Sequence, residues 1–197
     1  MDLTGANALV TGGAHRVGKG ISLALAAAGA NVFVHYGRSD DEAKETAAQA
    51  EALGVTAAIG SADLADPAAA ADLVASAADA LGPLSILVNS ASGFPTDTIA
   101  DVTIDQMEST LRLTLLSPIM AAQAFAAQVV DEGVVINVTD WRVHRPYPDH
   151  FSYTIAKGGI ENFTAAAAVA LAPEVRVNAV ALGAILPPPG KDAAYLK

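Results

Sequence analysis

The stretch Ala8-Leu9-Val10-Thr11-Gly12-Gly13-Ala14-His15-Arg16-Val17-Gly18 decides the fold. It leads from an apolar run of strand length, through a glycine turn, into a helical pattern over residues 18–28 that stops at Gly29. Glycines let a backbone approach a diphosphate closely, and a helix start presents N–H groups and partial positive charge to it. A tight strand-to-helix turn with no ligand is the plainer alternative, because the strict G-x-G-x-x-G spacing is absent.

Working outward, strand-like runs recur at residues 31–35, 56–61, 86–89, 134–139 and 175–182. They are rich in Val and Ile and show little polar alternation, as strands covered on both faces do. Helical stretches lie between them. Residues 40–53 follow the capping candidate Ser39, and residues 67–81 follow Asp66 as N-cap with Pro67 in the first turn and Gly82-Pro83 as a stop. Residues 105–130 and 152–171 complete the set. Strand and helix alternating without interruption predict a single α/β domain, a doubly wound, Rossmann-type parallel sheet with helices on both faces. Ligands of such sheets bind beyond the carboxyl ends of the strands, where strand order reverses.

Composition narrows the function. Of 197 residues, 52% are hydrophobic and 16% charged, which excludes a disordered chain. The 21 acidic and 11 basic residues give a net charge of -10 and argue against a nucleic-acid surface. With no cysteine there is no disulfide, thiolate nucleophile or Cys-based metal site, and no metal is expected. The most apolar run, residues 163–172, falls well short of the ~18 residues a membrane span needs and reads as a buried helix. The opening Met1-Asp2-Leu3 leaves no room for a signal peptide, so a soluble, cytoplasmic protein is expected.

The second strand ends in His35-Tyr36-Gly37-Arg38-Ser39. An Asp or Glu here would hold a ribose 2′-hydroxyl and repel a 2′-phosphate. Arg38 and Ser39 instead suit a phosphate dianion, which favours NADP(H), and Ser39 can cap the helix as well. His15, Arg16, Lys19 and Arg38 gather near strand ends in an otherwise acidic chain, although Lys19 also fits a solvated surface.

Tyr153-x-x-x-Lys157 places a phenol and an ammonium on one helical face. A nearby ammonium lowers a phenol's pKa and eases proton exchange. Alone the spacing is common and mostly structural. Here it follows a strand ending in Asn137-Val138-Thr139-Asp140 and lies downstream of a dinucleotide-type start.

Together, Thr11-Gly12…Gly18, Asn89-Ser90-Ala91-Ser92, Tyr153-x-x-x-Lys157 and Arg176-Val177-Asn178-Ala179-Val180 resemble the short-chain dehydrogenase/reductase family from Leu3 to about Ile185. Within it the chain is similar to pteridine reductases. Four features carry that likeness: Arg16 in place of the middle glycine, His35-Tyr36-x-Arg38-Ser39, the run from Asn89 to Phe94, and Asp140 where most of the family has serine.

The resemblance implies that Tyr153 donates a proton, that Lys157 tunes it and holds the nicotinamide ribose, and that Asp140 helps relay the proton. It implies cofactor contacts at Thr11, Gly12, Arg16, Val17 and Gly18, and at His35, Tyr36, Arg38 and Ser39. Asp63 and Leu64 would line the adenine pocket, Asn89 and Ala91 the ribose, and Gly183 the loop after the last strand. Ser92 and Phe94 would face a small-molecule substrate, Phe94 either stacking a flat heterocycle or plugging the core edge. Asn137 and Asn178 are expected to be structural hydrogen-bonders.

Two residues depart from the family pattern: Thr114 stands where an asparagine supports a relay water, and Leu182 stands where a proline precedes Gly183. Family members also continue with a further helix and strand, so residues 1–197 are expected to be one domain lacking them, and a homo-oligomer when full-length. The implied activity is NADPH-dependent reduction of a pterin- or dihydrofolate-like substrate, or of another conjugated C=N or C=O group. A general carbonyl reductase for a 3-oxoacyl, sugar or ketone substrate, and a non-catalytic NADP-binding regulator, are the alternatives.

Overall fold

The structure, a computed structural model, describes residues 2–186. Strands β1 (Asn7–Thr11), β2 (Asn31–Tyr36), β3 (Ala57–Ser61), β4 (Ile86–Asn89), β5 (Gly133–Asp140) and β6 (Val175–Leu182) alternate with helices. The helices are α1 (Arg16–Ala27), α2 (Asp40–Glu51), α3 (Ala69–Leu81), α4 (Ile104–Leu111), α5 (Ser117–Gln128) and α6 (Phe151–Ala170). All strands run parallel in the order β3-β2-β1-β4-β5-β6. The chain reverses its direction of travel across the sheet between β1 and β4. Thr11 pairs with Asn89 there, and Asn89 with Asn137, so three motif residues share one line at the carboxyl edge.

Successive residues of a buried strand face opposite sides, which is why the runs of β1, β2, β4 and β5 carry little polar alternation, whereas the edge strand β6 alternates buried Val175 and Val177 with exposed Arg176 and Asn178. In β1, Leu9 joins Phe33, Leu73, Leu87, Phe125 and Val135 on one face. Ala8 and Val10 join Val32, Val34, Ala43, Ile86 and Val88 on the other. Alanines on the covering helices keep them close to the sheet: Ala43 and Ala50 of α2 and Ala70 and Ala77 of α3 are fully buried.

The helices differ from the sequence reading in three details of start and continuity. Asp66 does not cap a helix at Pro67. Its carboxylate accepts from the Ala68 N–H at 3.2 Å within a turn, and α3 begins only at Ala69. Ser39 stands at the N-cap of α2, but its hydroxyl makes no capping bond. The long helix expected over residues 105–130 is interrupted by a π-helical turn, Arg112–Leu116, between α4 and α5. That turn carries Thr114 into the interior, where it is 1% exposed.

The stretch Ile104–Gln128 has the length and apolar composition of a membrane span. Its apolar side instead packs on α3 and the sheet, with Ala121, Ala122 and Phe125 buried, as in a core helix. The expected lack of a final helix and strand concerns chain beyond Leu186, outside the described residues.

Candidate active site

At the carboxyl edge the glycine turn is held from several sides. The Gly12 N–H donates to His35 Nδ1 at 3.0 Å, and the Gly13 N–H donates to the His35 carbonyl at 2.9 Å. Ser22 Oγ donates to the Gly13 carbonyl and Thr46 Oγ1 to that of Ala14. Gly12 has φ +63°, and a Cβ there would stand 3.0 Å from the Ala91 Cα. A Cβ on Gly18 would stand 2.0 Å from the Gly12 carbonyl oxygen, so α1 can enter this turn only with glycine at that position. No side chain caps α1 and no acid lies in its first turn. A helix start of this kind suits an anion.

Several residues expected to touch the nucleotide have side chains bonded within the protein. His35 is 2% exposed, and its Nε2 donates to the Ala62 carbonyl at 3.1 Å. It therefore holds backbone rather than facing the cleft. Thr11 Oγ1 donates to the Val88 carbonyl and accepts from the N–H groups of Ser90 and Ala91, which binds β1 to the chain leaving β4. The Tyr36 hydroxyl donates to Asp40 Oδ1 at 2.7 Å, and that bond raises its pKa.

Leu64 sends its side chain into the core, and its carbonyl accepts from Ser117 Oγ at 2.6 Å. Asn89 donates to Asn137 Oδ1 at 2.9 Å and turns inward, leaving its own Oδ1 buried without a partner among the described residues. Asn137 donates onward to Thr164 Oγ1, in keeping with a structural role. Ser92 is bonded to Thr114 Oγ1 at 3.3 Å and to the Gly93 carbonyl.

Other expected residues remain open to the cleft side. Arg38 is exposed and its guanidinium has no partner among the described residues. Asp63 is exposed; its carboxylate accepts from the Ala65 N–H and its carbonyl from the Asp66 N–H. Arg16 is exposed, and its φ of 52° is a left-handed value that favours glycine, which explains why the family pattern has glycine there. Val17 and Ala91 are half-buried, and Gly183 is exposed just past β6. Lys19 pairs with Glu45 at 2.8 Å, bridging α1 and α2, which fits its solvated-surface reading.

The second cluster lies where β5 meets α6. Tyr153 donates its hydroxyl to Asp140 Oδ2 at 2.8 Å, while Asp140 Oδ1 accepts from the Arg142 N–H. Lys157, 4% exposed, donates to the Val138 carbonyl at 2.6 Å, and its Nζ lies 5.6 Å from the Tyr153 ring centroid. The expected lowering of the phenol's pKa is reversed here. Burial pushes Tyr153 well above its ordinary value, and the bond to Asp140 pushes it the same way. Lys157 is itself lowered to about 8 by burial, against a small raising effect of Asp140.

Phe94 is 54% exposed, so it does not plug the core. Its ring stacks on His150 at 3.6 Å and meets Tyr153 edge-on at 4.7 Å. His150 has φ 54° and hydrogen-bonds the Pro95 carbonyl through Nδ1 at 2.7 Å. Arg142 lies over Phe94 and Tyr147 and pairs with Asp149 at 2.8 Å.

The sequence reading passed over His150, Arg142 and Asp97. The last is 2% exposed and closes the start of α6: Oδ1 accepts from the Ser152 N–H, Oδ2 from Ser152 Oγ, and the backbone carbonyl from the Phe151 N–H. No periodicity marks Asp97, but an aromatic residue immediately before the helix that carries Tyr153 was a signal available for His150.

A parallel sheet with an uncapped helix start beside its strand reversal, and a tyrosine–lysine pair across the same edge, defines a nucleotide-dependent α/β oxidoreductase. The chain belongs to the short chain dehydrogenase family, whose model matches residues 6–193. It is 33% identical over 196 residues to an L-rhamnose 1-dehydrogenase (NAD(P)(+)) of Sphingomonas sp. (strain SKA58), covering 96% of this chain and 76% of that protein. FolM alternative dihydrofolate reductase 1 from Brucella canis, solved with NADP, superposes with a TM-score of 0.90 at 36% identity, over 95% of this chain and 77% of that one. A short chain dehydrogenase from Burkholderia cenocepacia J2315, also solved with NADP, gives 0.88 at 35% identity, over 92% and 75%.

Proposed function

We propose that the chain is an NADP(H)-dependent reductase acting on a pterin- or dihydrofolate-like ring, or on another conjugated C=N or C=O group, with Tyr153 as proton donor. The observation that carries this reading is the Tyr153 hydroxyl bonded to Asp140 at 2.8 Å, with the exposed Phe94 ring edge-on to the same phenol. A carboxylate on the phenol gives the transferred proton a route toward a ring nitrogen or carbon, where a serine would offer a carbonyl only a hydrogen bond. Phe94, stacked on His150 with Arg142 also over its ring, remains 54% exposed and offers aromatic surface to a π-rich ligand. Lys157 keeps positive charge near the phenol ring and favours the anion left after the proton is given up.

A bound nicotinamide supplies the hydride. The residues present fit such a group. The uncapped start of α1 suits its diphosphate, and Arg38 with Ser39, whose hydroxyl does not cap α2, suits a 2′-phosphate. The two NADP-bound relatives support that choice. Arg38→Ala should weaken NADPH binding about ten- to a hundredfold and leave NADH nearly unchanged, as loss of a charged hydrogen bond predicts. Equal losses in fluorescence titrations with both nucleotides would remove Arg38 from this role.

The likeness to the rhamnose dehydrogenase favours a second reading, oxidation of a sugar or reduction of a simple carbonyl. One assay separates the two. NADPH oxidation is followed with dihydrobiopterin, dihydrofolate and a ketone panel, and NADP⁺ reduction with L-rhamnose. Turnover confined to rhamnose or ketones would replace the pterin reading.

A further inference from the structure

A single buried imidazole joins three segments on the nucleotide side of the cleft. His35 Nδ1 accepts from the Gly12 N–H, its carbonyl accepts from the Gly13 N–H, and Nε2 donates to the Ala62 carbonyl, one residue before Asp63. The Ala62 carbonyl can only accept and the Gly12 N–H can only donate, so the ring must carry its proton on Nε2 and keep Nδ1 bare. Burial lowers the pKa of His35 and keeps the ring in that neutral form.

The other side-chain anchors of the turn, Ser22 and Thr46, hold carbonyl groups. Among the described residues His35 is therefore the side chain that holds a turn amide. With Gly12 already against Ala91, the turn has no slack toward β4, and its distance from the segment after β3 is set from the His35 side.

We propose that His35 is a positioning residue for nucleotide binding: without touching the nucleotide, its Nδ1 acceptor fixes the glycine turn relative to the segment that starts at Asp63. The proposal rests on the cofactor assignment above. It makes the two halves of the ring unequal. The acceptor toward Gly12 governs affinity, while the donor toward Ala62 orients the ring.

Two substitutions separate these halves. In His35→Asn the side-chain oxygen reaches the place of Nδ1 and can still accept from Gly12. In His35→Gln the amide reaches toward Ala62 and leaves the Gly12 N–H without its acceptor. Dissociation constants for NADPH are measured by fluorescence titration, with thermal midpoints for each protein. H35N should bind within about threefold of the unchanged protein, and H35Q about ten- to a hundredfold more weakly.

A purely structural role predicts instead that affinity follows the thermal midpoint in both variants. That result, or equal affinities in the two, overturns the proposal. If H35Q does not fold, H35N decides alone: retained affinity upholds the assignment and a tenfold loss defeats it. Absence of NADPH binding by the unchanged protein overturns the cofactor reading and this proposal with it. Normal binding by that protein with a persistent Arg38→Ala effect, but no difference between H35N and H35Q, overturns this proposal only.

Discussion

Helices α1 and α6 flank the cleft and begin alike, yet their starts are finished in opposite ways. Each start carries a non-glycine residue in the left-handed region, Arg16 at φ 52° and His150 at φ 54°. In α1 the start is left uncapped, with no acid in its first turn. In α6 the buried Asp97 reaches across from a distant segment and satisfies both the N–H and the hydroxyl of Ser152. A helix start left open is a place for an anion to bind. One that is closed from outside is a mount, and here it carries Tyr153 in the residue that follows.

That contrast can be broken by experiment, and the largest effect belongs to the mounted side. Tyr153→Phe should lower kcat about 10²- to 10⁴-fold, the usual contribution of a positioned acid, while NADPH affinity stays close to the original. A parallel loss of affinity would show that the two starts are not separate in function.

Gly18→Ala attacks the open side. Its Cβ would meet the Gly12 carbonyl at 2.0 Å, so we expect about 1–3 kcal/mol of stability to be lost by overpacking. Nucleotide binding should fall more steeply than kcat, as read from denaturation and titration together. Asp97→Ala sharpens the other half. Leaving the buried N–H of Ser152 without its acceptor, and its hydroxyl with Thr110 Oγ1 alone, should cost about 1–3 kcal/mol in urea unfolding, and Asp97→Asn should recover part of it. Here kcat should drop while the nucleotide dissociation constant holds.

The smallest effect is in pH. With Lys157 at about 8, kcat/KM should decline as the pH rises through that value and the ammonium is lost. The sign for stability is opposite. A lysine whose folded pKa lies below its ordinary 10.5 destabilises the fold while charged, so stability should rise between about pH 8 and 10.5 as the proton leaves. Lys157→Arg should move the activity limb out of this range.

Much of the architecture was legible because burial on both faces writes itself as short unbroken apolar runs, as in Ala8-Leu9-Val10 and Val134-Val135-Ile136. The tyrosine–lysine pair was equally legible, since spacing on a helix fixes which side chains share a face. Direction was not. His35 and Thr11 have the right chemistry to meet a nucleotide, but each sits at a strand end where the pleat turns its side chain toward neighbouring backbone. Nothing in a one-dimensional pattern distinguishes those two targets. Asp97 escaped notice for a related reason. It lies in an irregular segment, and its partner Ser152 is 55 residues away. The phenol's raised pKa also depends on tertiary burial and on Asp140, which outweigh the lowering by Arg142, a charge that helical spacing does not single out.

The left-handed backbone at Arg16 has a practical consequence. Replacing it with glycine would relieve a conformational penalty of about 1 kcal/mol at that residue and would also remove the interaction that the arginine makes. A thermostabilisation campaign guided by melting temperature alone would read only the sum of the two, and would not register that a positive charge had gone from the start of α1.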